Sequence, residues 1–380
     1  MPAKGPHQEE LELANLQSIA TALPPYLLSA EETKLVLAPL TGGGERWKKL
    51  VDASRIRRRH LVVSVDELLR RHTLGERAQD YTRQAVALAE AAARDALAGA
   101  GVDPTSVHTI VSVSCTGYML PSLDAYLVSN LGLDAAVRRI PITELGCSGG
   151  VAALGLATAL LEPRAGGCAL VVSVEPCSLC LQVAEPTPSD VMGSILFGDA
   201  AAAAVLTRAA GAPGPAIISS GSTLWPDSLD QLGMQLTGAG FRFVLSPALP
   251  DLVHTRLRDT VVAFLERCGL GLGDVGFWIV HPGGPKILDA AADALGLSDN
   301  ALRPAWDVWE KCGNLSSATV FFILRELQRS APPRAGTLGL MMAFGPGVTC
   351  EMVLLRSGGW LANGRHSQRS ADPSSMRAER

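Results

Sequence analysis

Glu144-Leu145-Gly146-Cys147-Ser148-Gly149-Gly150 follows an extended apolar stretch and opens the Ala/Leu-rich run Val151–Leu161. A thiol at the head of a helix feels the positive end of the macrodipole, which favours its thiolate. The glycines beside it let backbone and substrate approach closely. Taken alone, the stretch reads better as a buried cysteine in a glycine-rich turn. It decides the fold because its pattern recurs: Gly313-Asn314-Leu315-Ser316-Ser317-Ala318 opens a second apolar helical run over Leu315–Arg329.

The neighbourhood of each stretch repeats as well. An Ala-rich amphipathic helix over Asp80–Ala98, closed by Gly99 and Gly101, leads to an alternating strand over His108–Ser114. A helix over Leu249–Cys268 leads in the same way to a buried strand over Phe277–Val280. Buried strands are also expected over Ala169–Val174, Ala200–Leu206 and Leu338–Ala343. Cys115 and His281 are 166 apart (281 − 115), and Cys147 and Asn314 are 167 apart (314 − 147). A constant offset points to two similar halves. In such a duplicate Cys147 and Asn314 open related helices, Cys115 and His281 end related strands, and pseudo-twofold packing brings Cys, His and Asn together. Alternating strands and helices imply a layered α/β architecture with mostly buried strands. The expected organisation is a mobile segment over 1–15, a first half over 16–212, a second half over 213–356 and a disordered tail over 357–380, rich in Ser, Arg, Gly and Asn.

The bulk numbers allow a large core, organised as two domains or one duplicated domain. The chain has 380 residues, 47% hydrophobic, with net charge −4, so no nucleic-acid binder is indicated. The polar, acidic start is not a signal peptide, and no apolar run reaches membrane-spanning length. A soluble cytoplasmic protein with eight scattered, reduced cysteines is expected. Cys177-Ser178-Leu179-Cys180 has CxxC spacing. A zinc site would need a second ligand pair, and none is evident, so a lining or core role is preferred.

Cys147, His281 and Asn314 form a coherent chemical set. A Cys–His pair yields a thiolate beside an imidazolium. His and Asn are donors for a carbonyl oxygen that becomes an enolate or a tetrahedral oxyanion. Such a set suits acyl transfer and decarboxylation of a malonyl thioester. Separately, His281 could end a strand at its Pro-Gly-Gly-Pro turn and Asn314 could be an N-cap. A papain-like hydrolase also runs Cys, His, Asn, with about 130–150 residues between Cys and His. The gap here is 134 (281 − 147), but the sequence around that enzyme's cysteine is absent.

With these residues quoted, the chain resembles the type III polyketide synthases, the chalcone-synthase superfamily of thiolase fold, from about Ala14 to Arg356. The further motifs that carry the resemblance are Leu196-Phe197-Gly198-Asp199, Trp278-Ile279-Val280-His281-Pro282-Gly283-Gly284-Pro285 and Phe344-Gly345-Pro346-Gly347. Ketoacyl synthase III enzymes share Cys, His and Asn but usually differ after the His. The resemblance implies an αβαβα layered fold of two similar halves. It implies that Cys147 carries the acyl chain, and that His281 and Asn314 hold the malonyl thioester. It implies that Phe197 and Phe243 are gatekeepers between a CoA tunnel and the cavity. CoA thioesters are then substrates, with no resident cofactor or metal. Arg46 and Lys49 align with two of three CoA-binding cations; the third aligns with Ala53, and Arg55 is a candidate to compensate. Family members are homodimers in which a loop, here Leu120-Pro121 with a plausible cis bond, closes the neighbour's cavity.

The product depends on cavity positions. Cys115, Cys177 and Cys180 replace threonines of the plant enzymes, which makes the wall less polar, and Met234 replaces a glycine of the cavity floor, where it fills space flexibly and could border an acyl tunnel. Bacterial alkylpyrone and alkylresorcinol synthases resemble the chain in Gly221-Ser222, Trp225-Pro226-Asp227 and Phe243-Val244-Leu245-Ser246. Tetrahydroxynaphthalene synthases resemble it in Ser114-Cys115-Thr116-Gly117-Tyr118-Met119 and Cys177-Ser178-Leu179-Cys180, yet typically carry a tyrosine at position 234. The expected starter is therefore a medium or long fatty acyl-CoA, giving alkylpyrones or alkylresorcinols. The alternative is a malonyl-only tetrahydroxynaphthalene synthase, and less favoured readings are a ketoacyl synthase III-like enzyme, the hydrolase and a non-catalytic acyl-binding protein.

Overall fold

The structure is a computed structural model that describes residues 13–70, 72–161, 167–181, 186–208, 214–238 and 240–358. Its strands are β1 (Ala14–Ala22), β2 (Tyr26–Ser29), β3 (Arg58–Leu61), β4 (Val107–Val113), β5 (Arg138–Ile142), β6 (Cys168–Glu175), β7 (Ala200–Thr207), β8 (Ala216–Leu224), β9 (Leu232–Thr237), β10 (Gly240–Leu245), β11 (Val275–Val280), β12 (Leu338–Gly345) and β13 (Thr349–Arg356). Its helices are α1 (Ala30–Thr41), α2 (Glu45–Ser54), α3 (Val65–Leu68), α4 (Leu74–Ala100), α5 (Leu123–Leu131), α6 (Gly149–Leu160), α7 (Pro188–Leu196), α8 (Leu249–Arg267), α9 (Pro285–Leu295), α10 (Arg303–Cys312) and α11 (Thr319–Ser330).

The duplication appears in the strand topology. The first half orders its strands β1-β7-β6-β4-β5 and the second orders them β8-β13-β12-β11. β4 is parallel to β6, β6 antiparallel to β7, and β7 antiparallel to β1. β11 is likewise parallel to β12, β12 antiparallel to β13, and β13 antiparallel to β8. The two ladders join where Ala14 and Asn15 of β1 meet Ile217 and Ala216 of β8. Strand β1 thus begins inside the segment expected to be a mobile end. Ser357, expected in a disordered tail, is buried and donates its N–H to Thr337 O at 2.8 Å. The rest of both expected ends, 1–12 and 359–380, lies outside the described residues.

Side-chain alternation on β7 separates the layers. Ala201, Ala203 and Val205 face a core shared with α4 and α5, while Ala200, Ala202 and Ala204 face the core that holds α6 and α11. Small residues on both faces let helices pack closely on each side of the strand. Helix α4 turns Tyr81, Ala85, Ala89, Ala92, Ala93 and Ala96 inward at helical spacing. It starts earlier than the expected Asp80 because Thr73 and Glu76 form a capping box, and it ends at Gly101 with φ 64°. α6 contacts strands of both halves, so α6 and α11 form the middle of five layers, with α4/α5 and α8/α9 outside. This is the αβαβα arrangement.

The halves match element by element, not residue by residue. β4 and β11 end at Val113 and Val280, so His281 corresponds to Ser114 rather than to Cys115. α6 and α11 begin at Gly149 and Thr319, each after a 3-10 turn, Gly146–Ser148 and Ser316–Ala318. In that register Cys147 corresponds to Ser317, and Asn314 lies three residues earlier.

Candidate active site

Cys147 occupies the 3-10 turn that leads into α6, not the helix itself. Gly146 has φ 51°, and a Cβ there would lie 2.6 Å from Pro346 Cδ. At Gly345 a Cβ would lie 2.6 Å from the Leu145 carbonyl oxygen. The Phe344-Gly345-Pro346-Gly347 loop therefore clamps the Cys147 turn, which accounts for both glycine-rich motifs. Gly150 allows the closest approach of the two halves, since a Cβ at that position would overlap the Ser317 carbonyl. Burial pushes the Cys147 thiol up to about 12, against the opposing pull of hydrogen bonds from Ser316 and Asn314. The thiolate expected from the helix end is thus outweighed by desolvation, and the resting group is a thiol.

Asn314 is placed by the Leu196-Phe197-Gly198-Asp199 motif. Its N–H donates to Leu196 O at 2.8 Å, and its carbonyl accepts from the Gly198 N–H at 2.9 Å. A Cβ at Gly198 would lie 2.6 Å from the Cys312 carbonyl oxygen, so only glycine fits there. Asp199, fully buried, accepts from the N–H groups of Val62 and Ser178 at 2.7 Å each. Buried Arg59 donates to the carbonyls of Ser194 and Phe197 at 2.5 and 2.7 Å. The side chain of Asn314 is oriented by its own loop: Oδ1 accepts from the Ser316 N–H at 2.8 Å, leaving Nδ2 to donate into the site.

His281 follows β11 and donates its backbone N–H to Met342 O on β12 at 2.9 Å. Two residues on, β12 enters the loop that clamps Cys147, so β12 links the two side chains. The imidazole is 1% exposed, and among the described residues neither ring nitrogen has a hydrogen-bond partner. Burial drives its pKa down to about 3. A buried, neutral ring with both nitrogens unpaired is poised to accept a proton on one and donate from the other.

Sequence reasoning missed Glu175. This carboxyl ends β6 and is fully buried, so its pKa is raised by desolvation and pulled back by its donors. It accepts from the Thr116 hydroxyl at 2.9 Å, the Cys115 N–H at 3.1 Å, the Ser316 hydroxyl at 3.3 Å and the Ser317 hydroxyl. Ser316 Oγ lies 3.6 Å from the Sγ of both Cys147 and Cys115. Ser316 also takes φ 49°, a left-handed conformation costly for a serine and typical of strained functional turns. Glu175-Pro176, a charged residue ending an otherwise apolar strand, was the available signal.

A cavity opens at Cys147, lined among others by Cys115, Thr116, Phe197, Met234, Phe243 and Ser316. Met234 and Phe243 are direct partners across the β9–β10 hairpin. The Phe197 and Phe243 rings stack, with centroids 4.7 Å apart and an interplanar angle of 9°. Both rings also line a second pocket with Leu28, Val36, Leu61 and Leu181, so they form a partition. Of the expected cavity cysteines, Cys115 lines the catalytic cavity and Cys177 lines the pocket behind the gate. Cys180 lines neither; its thiol donates to Thr116 O at 3.1 Å. A larger chamber, lined by Leu74, Tyr81, Thr116, Leu179, Leu236 and Phe241, shares Thr116 with the catalytic cavity. Leu120 is 82% exposed, outside this chain's cavity, and the Leu120-Pro121 bond is cis.

Arg46, Lys49 and Arg55 are exposed on and just after α2. Arg46 lies 5.4 Å from the Trp47 ring centroid. Arg55 is less available than expected: it pairs with Glu310 at 3.2 Å and lies 4.1 Å over Trp306. No helix among the described residues is long and apolar enough to cross a membrane.

The family model described as chalcone and stilbene synthases, N-terminal domain, matches residues 12–210, and its C-terminal counterpart matches 216–358. The chain is 36% identical to a 1,3,6,8-tetrahydroxynaphthalene synthase of Streptomyces peucetius subsp. caesius, over 90% of this chain and 93% of that one. It is 30% identical to the alpha-pyrone synthesis polyketide synthase-like Pks18 of Mycobacterium tuberculosis, over 90% and 91%. Among solved structures it is similar to the 1,3,6,8-tetrahydroxynaphthalene synthase of Streptomyces coelicolor, with TM-score 0.86, 31% identity and coverage of 90% and 99%.

Proposed function

Because the chain belongs to the chalcone and stilbene synthase family and is a type III polyketide synthase, an acyltransferase, we propose that it extends a medium- or long-chain fatty acyl-CoA with malonyl-CoA. The observation that carries this choice of starter is the wall around Cys147. Among the described residues named as lining that cavity and the adjoining chamber, Arg77, on the chamber side, is the one charged side chain. A malonyl starter that kept its carboxylate at Cys147 would be buried there without a cation, at a cost of several kcal/mol. A fatty chain loses nothing in such a wall, and each buried methylene contributes about 0.8 kcal/mol. The chamber that shares Thr116 with the cavity provides apolar room for it.

The steps follow from the protonation states. Cys147 Sγ attacks the starter thioester as His281 accepts the thiol proton; the C–S bond to CoA breaks, and the CoA sulfur leaves as a thiol with that proton. Malonyl-CoA then places its thioester oxygen against a His281 N–H and Asn314 Nδ2. Loss of CO2 leaves an enolate on that oxygen, and the dry surroundings favour departure of the charged carboxylate. The enolate carbon attacks the Cys147 thioester carbonyl, forming a C–C bond and expelling the Cys147 thiolate. That thiolate then takes the lengthened chain back from CoA, whose C–S bond breaks and whose sulfur leaves as a thiol with a proton from solvent. Two or three rounds, then lactonisation or aldol closure, give an alkylpyrone or alkylresorcinol. Arg46 and Lys49, with Arg55 as a weaker third, attract the CoA phosphates at the surface. The active form is a homodimer: exposed Tyr118 and Leu120, and the edge strand β5, offer a surface for a second copy. Its place is the cytoplasm.

Purified protein incubated with acyl-CoAs of graded length and labelled malonyl-CoA tests the starter. The expected result is alkylpyrone or alkylresorcinol formation that requires Cys147 and a fatty starter. A naphthalenetetrol made from malonyl-CoA alone, the activity named for the Streptomyces relatives, would replace this reading with the malonyl-only one.

A further inference from the structure

The hydrogen bonds around Glu175 continue beyond the catalytic cavity. Tyr81, in the first turns of α4, helps to wall the outer chamber. Its ring lies against Gly117, where a Cβ would overlap it. Its hydroxyl donates to Ser114 Oγ at 2.7 Å, and Ser114 Oγ stands 3.5 Å from Glu175 Oε2. A serine hydroxyl has one proton to give. Accepting from Tyr81 leaves that proton for Glu175, so the phenol decides which way Ser114 points.

We propose that Tyr81 is a positioning residue: it commits Ser114 to donate to Glu175 and so completes the donor set of the carboxyl behind Cys147 and Cys115. The effect on turnover rests on the reading that Cys147 carries the acyl chain. The titratable groups facing Glu175 are Tyr81 from α4, Cys115 after β4, Cys147 before α6, and Cys177 and Cys180 after β6, with Arg77 beyond Cys180. Every hydroxyl donor on Glu175 favours its charged form. Loss of one such bond moves a carboxyl upward by roughly half a unit to one unit.

Tyr81→Phe keeps the ring against Gly117 and removes only the donor. Glu175 is followed by the infrared band of its protonated carboxyl against pH, assigned with Glu175→Gln. The expected result is a midpoint raised by roughly half a unit to one unit in Tyr81→Phe. The same shift is expected in Ser114→Ala, with no further shift in the double variant. On the acid limb, kcat should fall roughly three- to tenfold at fixed pH with little change in KM for the acyl-CoA. An unmoved midpoint in Tyr81→Phe, or shifts that add in the double variant, would overturn the proposal. Intact-mass analysis of the same samples separates the two readings. Acylation at Cys147 with an unmoved midpoint refutes the role of Tyr81 alone, whereas a moved midpoint without acylation refutes the placement of catalysis at Cys147.

Discussion

Replacing His281 by Gln tests whether the imidazole is kept neutral for a ligand. The folded ring titrates at about 3, against 6.5 for the ordinary group, because burial penalises its charged form. Its folded pKa is depressed, so between these values the unfolded chain binds a proton that the folded chain does not. The stability tied to a neutral His281 is therefore complete above pH 6.5 and is lost as pH falls towards 3. At pH 5, about 1.5 units below the unfolded value, the loss is about 2 kcal/mol, at 1.36 kcal/mol per unit. The ring is 1% exposed, so solvent screening does not reduce this. Urea unfolding followed by tryptophan fluorescence at pH 7.5 and pH 5, at one protein concentration, measures it. The wild type should lose about 2 kcal/mol more than His281→Gln between the two pH values, all other groups cancelling. Equal losses in the two chains would mean that the ring accepts its proton freely or is paired. The account of a neutral acid–base residue would then be wrong.

Asn314→Asp retains the oxygen that accepts from Ser316 N–H but replaces the amide donor that faces Cys147. Loading of Cys147 should persist by intact mass, while release of labelled CO2 from malonyl-CoA should fall about 10²–10³-fold; equal loss of both would refute the division of labour. Met234→Trp overfills the cavity opposite Phe243, so the longest starter accepted should shorten by several carbons in product mass spectra. An unchanged starter range would place the chain elsewhere. Gly150→Ala forces a methyl into the Ser317 carbonyl and should cost roughly 1–3 kcal/mol in urea unfolding, with activity falling in step.

Periodicity made the long elements legible: the buried alanines of α4 and the apolar run Ala200–Leu206 of β7 announce themselves by spacing and composition. The glycine motifs could also be placed, because each stands where backbone meets backbone or ring. The register between halves was not legible. The sequence offsets pair Cys115 with His281 and Cys147 with Asn314, but the strand ends pair His281 with Ser114, and a few extra residues before α11 pair Cys147 with Ser317. Sequence offsets do not distinguish an insertion in a loop from one in a helix. Glu175 was missed for a related reason. Its partners Cys115, Thr116, Ser316 and Ser317 come from loops far apart in the chain, and the one local mark, a charge at the end of β6, does not name them. The gate was half legible: the two phenylalanines were found by resemblance, whereas the pairing of Met234 with Phe243 needed the β9–β10 hairpin.

The duplication explains why so few charges are needed at the centre. Two 3-10 turns, each leading into a twelve-residue helix, meet where Gly150 lacks a side chain, so the N-termini of α6 and α11 converge beside Cys147 and Ser316. Each brings the partial positive charge of a helix N-terminus. The same dry enclosure keeps Cys147 protonated and His281 neutral. Permanent charges are thus discouraged, while an anion that forms on the substrate meets donors already aimed at it. A lysine in that position would stabilise the malonyl carboxylate before it leaves and so oppose decarboxylation. Neutral donors and converging helix ends reserve their strongest interaction for the enolate, the state whose stabilisation speeds the reaction.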